Sequence, residues 1–309
     1  METMASMGGE IRDGYLEAAR VQEERLAGDP EDLDALLALA DARITLYIFG
    51  YQPREETLPG AREAHARARE LYPARSEVLM LGGMLHMLDW KWEEAEAALR
   101  NAIATDPGNL KARHWYSLYL AAMGKFDLAM AQSDTILTMD PPGDYLIGRG
   151  SLLYFYRRNE ELKDLMLGVV AHEPTVAWGY DWLGMAYIEL KEYDRSISTY
   201  YRAFELSNGT VEVGGGLGHA LGLAGEYRLA KRMADFYARM AEEHYLPPVQ
   251  RAFIHIGIVE HGRALELLEQ AYREHSWFLV FIQSEPWYDP IRCEDRFNKI
   301  IEMMNFPSR

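Results

Sequence analysis

The apolar positions of this chain fall into paired helical segments punctuated by glycine and proline, and the pairs repeat. Residues 76–109 laid over residues 110–143 align as two windows of 34 residues. In the first, Gly83, Ala95, Leu99, Ala102 and Pro107 hold the eighth, twentieth, twenty-fourth, twenty-seventh and thirty-second positions. In the second, Ser117, Ala129, Ser133, Ile136 and Pro141 follow at the same spacing. Small residues at the eighth and twentieth positions let two antiparallel helices touch backbone to backbone, and the twenty-seventh packs on the next pair. The proline lacks an N–H and clashes with the preceding turn, so it ends the second helix. Inside the hairpin, Gly124 takes a left-handed turn conformation and Phe126 re-enters the core.

Three further windows follow. Residues 144–174 form a degenerate copy, with Arg158 in place of the turn glycine and Lys163 in place of the alanine, which predicts looser packing. Residues 177–210 restore the pattern through Leu183, Gly184, Tyr187, Ser196, Tyr200 and Ala203, and residues 211–244 carry Gly218, Leu221, Gly225, Ala230 and Ala234. Residues 1–75 hold weaker, degenerate units of the same kind, ending at Pro30 and Pro73; the interruption from Tyr51 to Pro59 predicts a long hairpin loop. Residues 245–309 add a last hairpin, with Ala252 and Ala264 at the close-contact positions, and a tail that no longer repeats. These spacings are those of a tetratricopeptide repeat (TPR). The expected fold is all-α, a TPR superhelical solenoid of antiparallel helix hairpins in one continuous body with an aromatic C-terminal cap.

The tail, SWFLVFIQSEPWYDPIRCEDRFNKIIEMMNF, resembles the closing segment of a group of bacterial tetratricopeptide proteins. Trp277, Leu279, Val280, Pro286, Asp289, Pro290, Arg292, Arg296 and Phe297 carry the likeness. In that group the array commonly lies behind a winged-helix, protein kinase or adenylate cyclase domain of a signalling protein. The resemblance therefore implies a sensory or interaction module and does not name its ligand. Physically the tail reads as a cap, because the last unit of a repeat array exposes an apolar face that Trp277, Phe278, Val280, Phe281, Trp287 and Phe297 can cover. Asp289 and Pro290 read as the N-cap and first residue of a final helix.

Charge narrows the partners. The chain has 32 basic and 48 acidic side chains, a formal charge of −16, which disfavours nucleic acid and anionic membrane surfaces. One cysteine, Cys293, excludes an intrachain disulfide and fits a reducing, cytoplasmic setting; it reads as an ordinary semi-buried residue. The N-terminus lacks the basic and apolar regions of a secretory signal, and no apolar run is long enough to span a bilayer.

Nothing in the sequence converges as catalytic or metal-binding chemistry, and no cofactor is expected. His255 and His261 are six residues apart, on different faces of any helix, and no H-E-x-x-H pair occurs. The glycines 214, 215, 216, 218 and 222 lack the strand and the Lys-Ser/Thr of a phosphate loop, and they predict a loose or bent helix. The expected function is therefore a non-catalytic protein- or peptide-binding scaffold. Its concave groove, placed by the tetratricopeptide register, is lined by Met80, Met84, Met87, His114, Leu118, Tyr145, Phe155, Trp178, Asp181, Met185 and His219. Methionines adapt and aromatics anchor, which suits a peptide or helix. The bland alternative is that the chain buries part of this surface itself. Met80, His114, Gly148, Asp181 and Gly215 stand where carboxylate-clamping repeats present Lys and Asn, so a C-terminal carboxylate clamp is not expected. The alternative function is a small-molecule sensor, with Trp178, Tyr145, His114 and Asp181 around a cationic or sugar-like ligand. Replacing Trp178 and Met84 by alanine is expected to spare the fold and weaken partner capture.

Overall fold

A computed structural model of the chain describes residues 9–141 and 143–307, and all regular structure among them is helical. The chain divides into two compact units. The N-terminal unit holds α1 (Gly9–Gly28), α2 (Leu33–Ile48), α3 (Arg54–Leu71), α4 (Ser76–Leu88), α5 (Trp92–Thr105), α6 (Leu110–Ala122) and α7 (Phe126–Leu137), together with residues 305–307. The C-terminal unit holds α8 (Asp144–Phe155), α9 (Asn159–His172), α10 (Ala177–Glu189), α11 (Tyr193–Leu206), α12 (Val211–Leu223), α13 (Tyr227–Glu243), α14 (Pro248–Gly257) and α15 (His261–Arg273). Two 3₁₀ segments, Trp277–Phe281 and Pro286–Ile291, and a short α16 (Asp295–Met303) complete it. From α2 to α15 the helices pair as antiparallel hairpins of the tetratricopeptide type, and a buried aromatic cluster closes the C-terminal end.

The hairpins form where the small residues of the repeat lie. A Cβ on Gly83 would stand 2.6 Å from Leu99, and one on Gly184 would stand 2.6 Å from Tyr200. Hydrogen bonds then lock one hairpin to the next. The Asn109 side chain caps α6 by accepting from the Ala112 N–H and donates to Ser76 Oγ at 2.8 Å, while Ser76 Oγ donates to the Ala102 carbonyl at 2.8 Å. Between the two helices of successive hairpins the chain turns through one left-handed residue, at Trp90, Gly124, Arg157, Lys191, Gly225 and Val259. The interval is 34 residues at every step but one, where Gly124 to Arg157 spans 33.

That missing residue corrects the reading of the degenerate copy. Arg157, with φ of 56°, takes the place of the turn glycine, and Arg158 instead precedes α9. The alanine position falls on Leu162, fully buried, while Lys163 pairs with Glu160 at the surface. Three other expectations also change. The long loop after α2 is shorter than expected, because α3 begins at Arg54 and contains Pro59. Asp289 and Pro290 lie inside a 3₁₀ segment capped by Glu285, and the final helix begins at Asp295 after Glu294. Cys293 is exposed rather than semi-buried.

The glycines of α12 do not loosen it; they bring neighbours onto it. A Cβ on Gly216 would lie 2.5 Å from Tyr200 of α11, and one on Gly214 would lie 1.7 Å from the Tyr237 hydroxyl of α13. On the remaining side, Gly218 receives Ile254 at 2.7 Å, and Gly222 receives the backbone carbon of Gly257 at 2.5 Å, both from α14. Small residues here replace side-chain packing with backbone contact.

Two substitutions test this account with opposite signs. Helix propensity alone would make Gly222→Ala stabilising by about 1 kcal/mol; the contact with the Gly257 backbone makes it destabilising, by roughly 1–3 kcal/mol. Val259 is β-branched, 66% exposed and held at φ of 63°, so Val259→Gly relieves about 1–2 kcal/mol of left-handed strain, less the entropy glycine loses. Urea denaturation of both variants should show the first losing and the second gaining stability; a stabilised Gly222→Ala would refute the close α12–α14 packing.

Candidate functional site

The sequence-derived groove residues lie on the first helices of the hairpins, and the structure sorts them by what covers them. In the N-terminal unit, Met84 is 1% exposed, and Met80, Met87 and Leu118 are also buried. Truncating Met84 would therefore open a core cavity, so the paired Trp178 and Met84 replacement cannot isolate partner binding. His114 is half-buried with its ring edge-on to Trp115 at 6.4 Å. Burial, reinforced by Lys111, depresses its pKa to about 4, so it is neutral at physiological pH. Lys111 itself donates from α6 to Asp41 of α2.

In the C-terminal unit the tail lies on the first-helix face. Phe281 stacks on Phe155 of α8 at 4.6 Å, and Trp287 stacks on His219 of α12 at 4.5 Å. The same Trp287 ring stands perpendicular to Phe253 of α14 at 4.8 Å. Each such pair contributes on the order of 0.5–1.5 kcal/mol beyond the area it buries. Polar contacts fix the register: the Tyr154 hydroxyl donates to Glu285, and Arg157 donates to Asp289 at 2.8 Å. Arg292 holds the tail's own bend by donating to the Glu285 carbonyl at 2.7 Å. Phe155 and His219 are thus occupied by the chain itself.

The tail region reaches one end of a face of α10. Trp178, Asp181, Met185 and Glu189 share that face at helical spacing. Glu189 lies beside Trp287, Arg157 and Asp289 of the tail region, whereas Trp178 and Met185 remain half-exposed, as does Tyr145 of α8. Among the expected residues, then, Phe155 and His219 lie under the tail, Trp178 and Met185 are half-exposed on α10, and the methionines of α4 form core. The residues that clasp the tail, Tyr154 and Arg157, and Trp182 packed against Tyr154, were not among the expected ones. Only their place in the first-helix register, beside Phe155 and Asp181, could have flagged Tyr154 and Trp182.

Beneath this face lie carboxyl groups without ion-pair partners among the described residues. Burial raises the pKa of Asp181 to about 7 and that of Glu212 on α12 to about 8. Glu285 is raised to about 7 by burial despite accepting from Tyr154 and from the Trp287 N–H. Glu212 Oε1 and the Tyr200 hydroxyl are buried with no hydrogen-bond partner. His219, its Nδ1 2.8 Å from the Phe253 carbonyl, is pushed down to about 4 by burial. Among the described residues no three His, Cys, Asp or Glu side chains form a group able to hold a metal ion, and no helix is long and apolar enough to cross a membrane.

The fold is shared with solved structures. Over 94% of this chain, a chain of the APC/C hetero-tetramer Cut9-Hcn1 superposes with a TM-score of 0.64 at 13% identity. A tetratricopeptide repeat protein from Parabacteroides merdae gives 0.54 at 14% identity, covering 88% of this chain and 98% of that one. Yeast Tom70 gives 0.52 at 17% identity over 94% of this chain. The chain spans 52% of the matched chain of Cut9-Hcn1 and 62% of the Tom70 chain. At these identities the likeness establishes the fold alone: a tetratricopeptide-like helical repeat. No family model and no curated protein matches the sequence.

The buried carboxyls set a pH dependence. Their folded values lie above the unfolded value near 4, so the folded state binds more protons between those limits and stability falls as pH rises from about 4 through about 8. His219, depressed below its unfolded value near 6.5, costs stability only as pH falls below that point. Above pH 6.5 the carboxyls alone among these groups act, so the thermal midpoint should fall from pH 6.5 to 8.5. Asp181→Asn combined with Glu212→Gln should flatten the decline; an unchanged slope in that variant would show the two groups to be solvated.

Proposed function

We propose that this chain is a protein- or peptide-binding scaffold of bacterial regulation, acting in the cytoplasm, and that its partner engages the first-helix face of the C-terminal unit. The observation that carries this reading is the α10 face. Trp178 and Met185 are half-exposed at one end of it, with Tyr145 on the neighbouring first helix, and the chain's own aromatic tail occupies the other end. A surface that already accepts Phe281 and Trp287 has the shape and apolarity to accept aromatic side chains of another protein. Asp181 would lie in the floor of that site, next to Phe155 and His219 under the tail. The fold supports the same use, since Cut9 stands in a hetero-tetramer with Hcn1. The resemblance of the tail to that of bacterial signalling proteins supports the regulatory setting.

A second reading rests on a separate observation. Asp181, about one turn from Trp178, and Glu212 on α12 are buried without counter-ions among the described residues, a setting for an ammonium or guanidinium group of a small ligand.

Peptides selected from a phage-displayed library on the intact chain, then titrated as free peptides, decide between these. Trp178→Ala should weaken selected peptides about tenfold or more with little change in melting temperature, and Trp178→Phe should restore most of the loss. Peptides indifferent to both Trp178→Ala and Tyr145→Ala would exclude this face. Stabilisation by free alkylamines that disappears in Asp181→Asn, with no peptide selected, would favour the second reading.

A further inference from the structure

Away from the first-helix face, the second helices α11 and α13 leave a groove between them. It has a volume of about 490 Å³, with Leu217 and Leu221 of α12 as its floor. Tyr201 of α11 and Leu229 of α13 stand on its walls, 48% and 40% exposed, where a solvated helix face would carry polar residues. The groove exists because α12 is thin: its glycines draw Tyr200 and Tyr237 inward, and the residues beside them, Tyr201 and Phe236, are left facing the cleft.

Charge beside the groove is specific. On α13, Leu229, Met233 and Phe236 form an apolar stripe at spacings of four and three, and Arg228, Arg232 and Arg239 form a second stripe alongside it at spacings of four and seven. Among the described residues no carboxylate pairs with any of these three guanidiniums, and Asp235 is the single acidic residue lining the cleft. Arg232 also lines a second cleft on the other side of α13, with Tyr227 56% exposed on its wall. In a chain of net charge −16, three unpaired arginines beside exposed apolar side chains are a local reversal of sign.

We propose that the α11–α13 groove docks an acidic amphipathic helix of a partner protein. Bulky apolar side chains on one face of that helix fill the cleft over Leu217 and Leu221, and carboxylates on its flank meet Arg232 and Arg239, with Arg228 one turn farther along the same stripe. The partner is an acidic protein segment rather than nucleic acid, because the cleft is walled mainly by aliphatic and aromatic side chains and the surrounding chain is strongly acidic. This inference goes beyond the proposed function and uses a different surface.

The test uses the full chain and three fluorescein-labelled synthetic helices of equal length. One carries Leu and Phe at i, i+3, i+4 and i+7 with Glu elsewhere, one replaces each Glu by Lys, and one replaces each apolar residue by Ser. Fluorescence anisotropy should show binding of the first alone, at least tenfold tighter than either control and weakening as salt rises from 0.15 to 0.5 M. Arg232→Glu with Arg239→Glu should weaken it tenfold or more, and so should Leu229→Asp; all three positions are exposed, and melting curves verify folding. Trp178→Ala should leave it unchanged, so failure here and failure of the first-helix site are read separately. No binding by the acidic helix, equal binding by its Lys counterpart, or loss of binding in Trp178→Ala would each overturn the proposal. A dimer in sedimentation velocity that dissociates on Arg232→Glu would also overturn it, by assigning the groove to a second copy of the chain.

Discussion

Three of the tetratricopeptide-type hairpins here share one contact: a small residue on the first helix lies beneath a larger one sixteen positions later on the second. Gly83 accepts Leu99, Gly150 accepts the Met166 methyl group at 3.0 Å, and Gly184 accepts Tyr200. Without a side chain at the first position the helices approach closely enough for the larger partner to fill the crossing. The stabilisation is dispersion and burial summed over many atoms. Each hairpin alone leaves an apolar face open, so successive hairpins must cover one another, and the array needs a cap where it stops. In α12 the same device operates in three directions. Gly216 takes Tyr200, Gly214 takes Tyr237, and Gly218 and Gly222 take α14. That single helix thereby sets the positions of α11, α13 and α14 in the C-terminal unit.

This explains which parts of the fold could be read from sequence. Small residues at fixed intervals are themselves the contact, so the hairpins at Gly83, Ser117, Gly184 and Gly218 were legible. The left-handed turn was legible only at Gly124 and Gly225, where glycine announces it. At Trp90, Lys191 and Val259 the surrounding hairpin imposes the conformation on residues that do not favour it. The degenerate copy was misread by one position because its first half is a residue shorter, which moved the turn to Arg157 and the close contact to Leu162. Glycine's low helix propensity suggested a loose α12. Propensity describes an isolated helix, however, and here tertiary contact from three neighbours outweighs it.

The candidate site was legible to a smaller degree, for a different reason. A repeat register gives the direction of a side chain and says nothing of what will lie over it. Phe155, His219 and Trp178 were all placed on the first-helix face, yet the tail covers the first two and the third is half-exposed. Composition marked the tail as apolar, and its destination depends on shape: Trp287 needs both the His219 ring to stack on and the edge contact with Phe253. The Glu285 carboxyl between Tyr154 and Trp287 adds a polar fix that no periodicity encodes. The pocket between α11 and α13 was missed because the expected groove was placed on the first helices, and the apolar stripe of Leu229, Met233 and Phe236 lies within an otherwise charged sequence.

The net charge of −16 and the arginine stripe on α13 can act together without contradiction, because they work over different distances. Electrostatic influence between exposed charges decays over about 8 Å at physiological ionic strength, roughly the span of five or six residues of helix. Acidic side chains farther off are largely screened from a ligand at the groove, so the charged residues that line it, Arg232, Arg239 and Asp235, weigh most. At low salt the wider acidic surface would oppose approach of an acidic helix while the stripe still favours the docked state. Moderate salt therefore removes more repulsion than attraction, and only higher salt weakens the guanidinium contacts themselves. An acidic protein can in this way present a binding site for an acidic partner, provided that the basic residues are local, unpaired and set beside apolar surface.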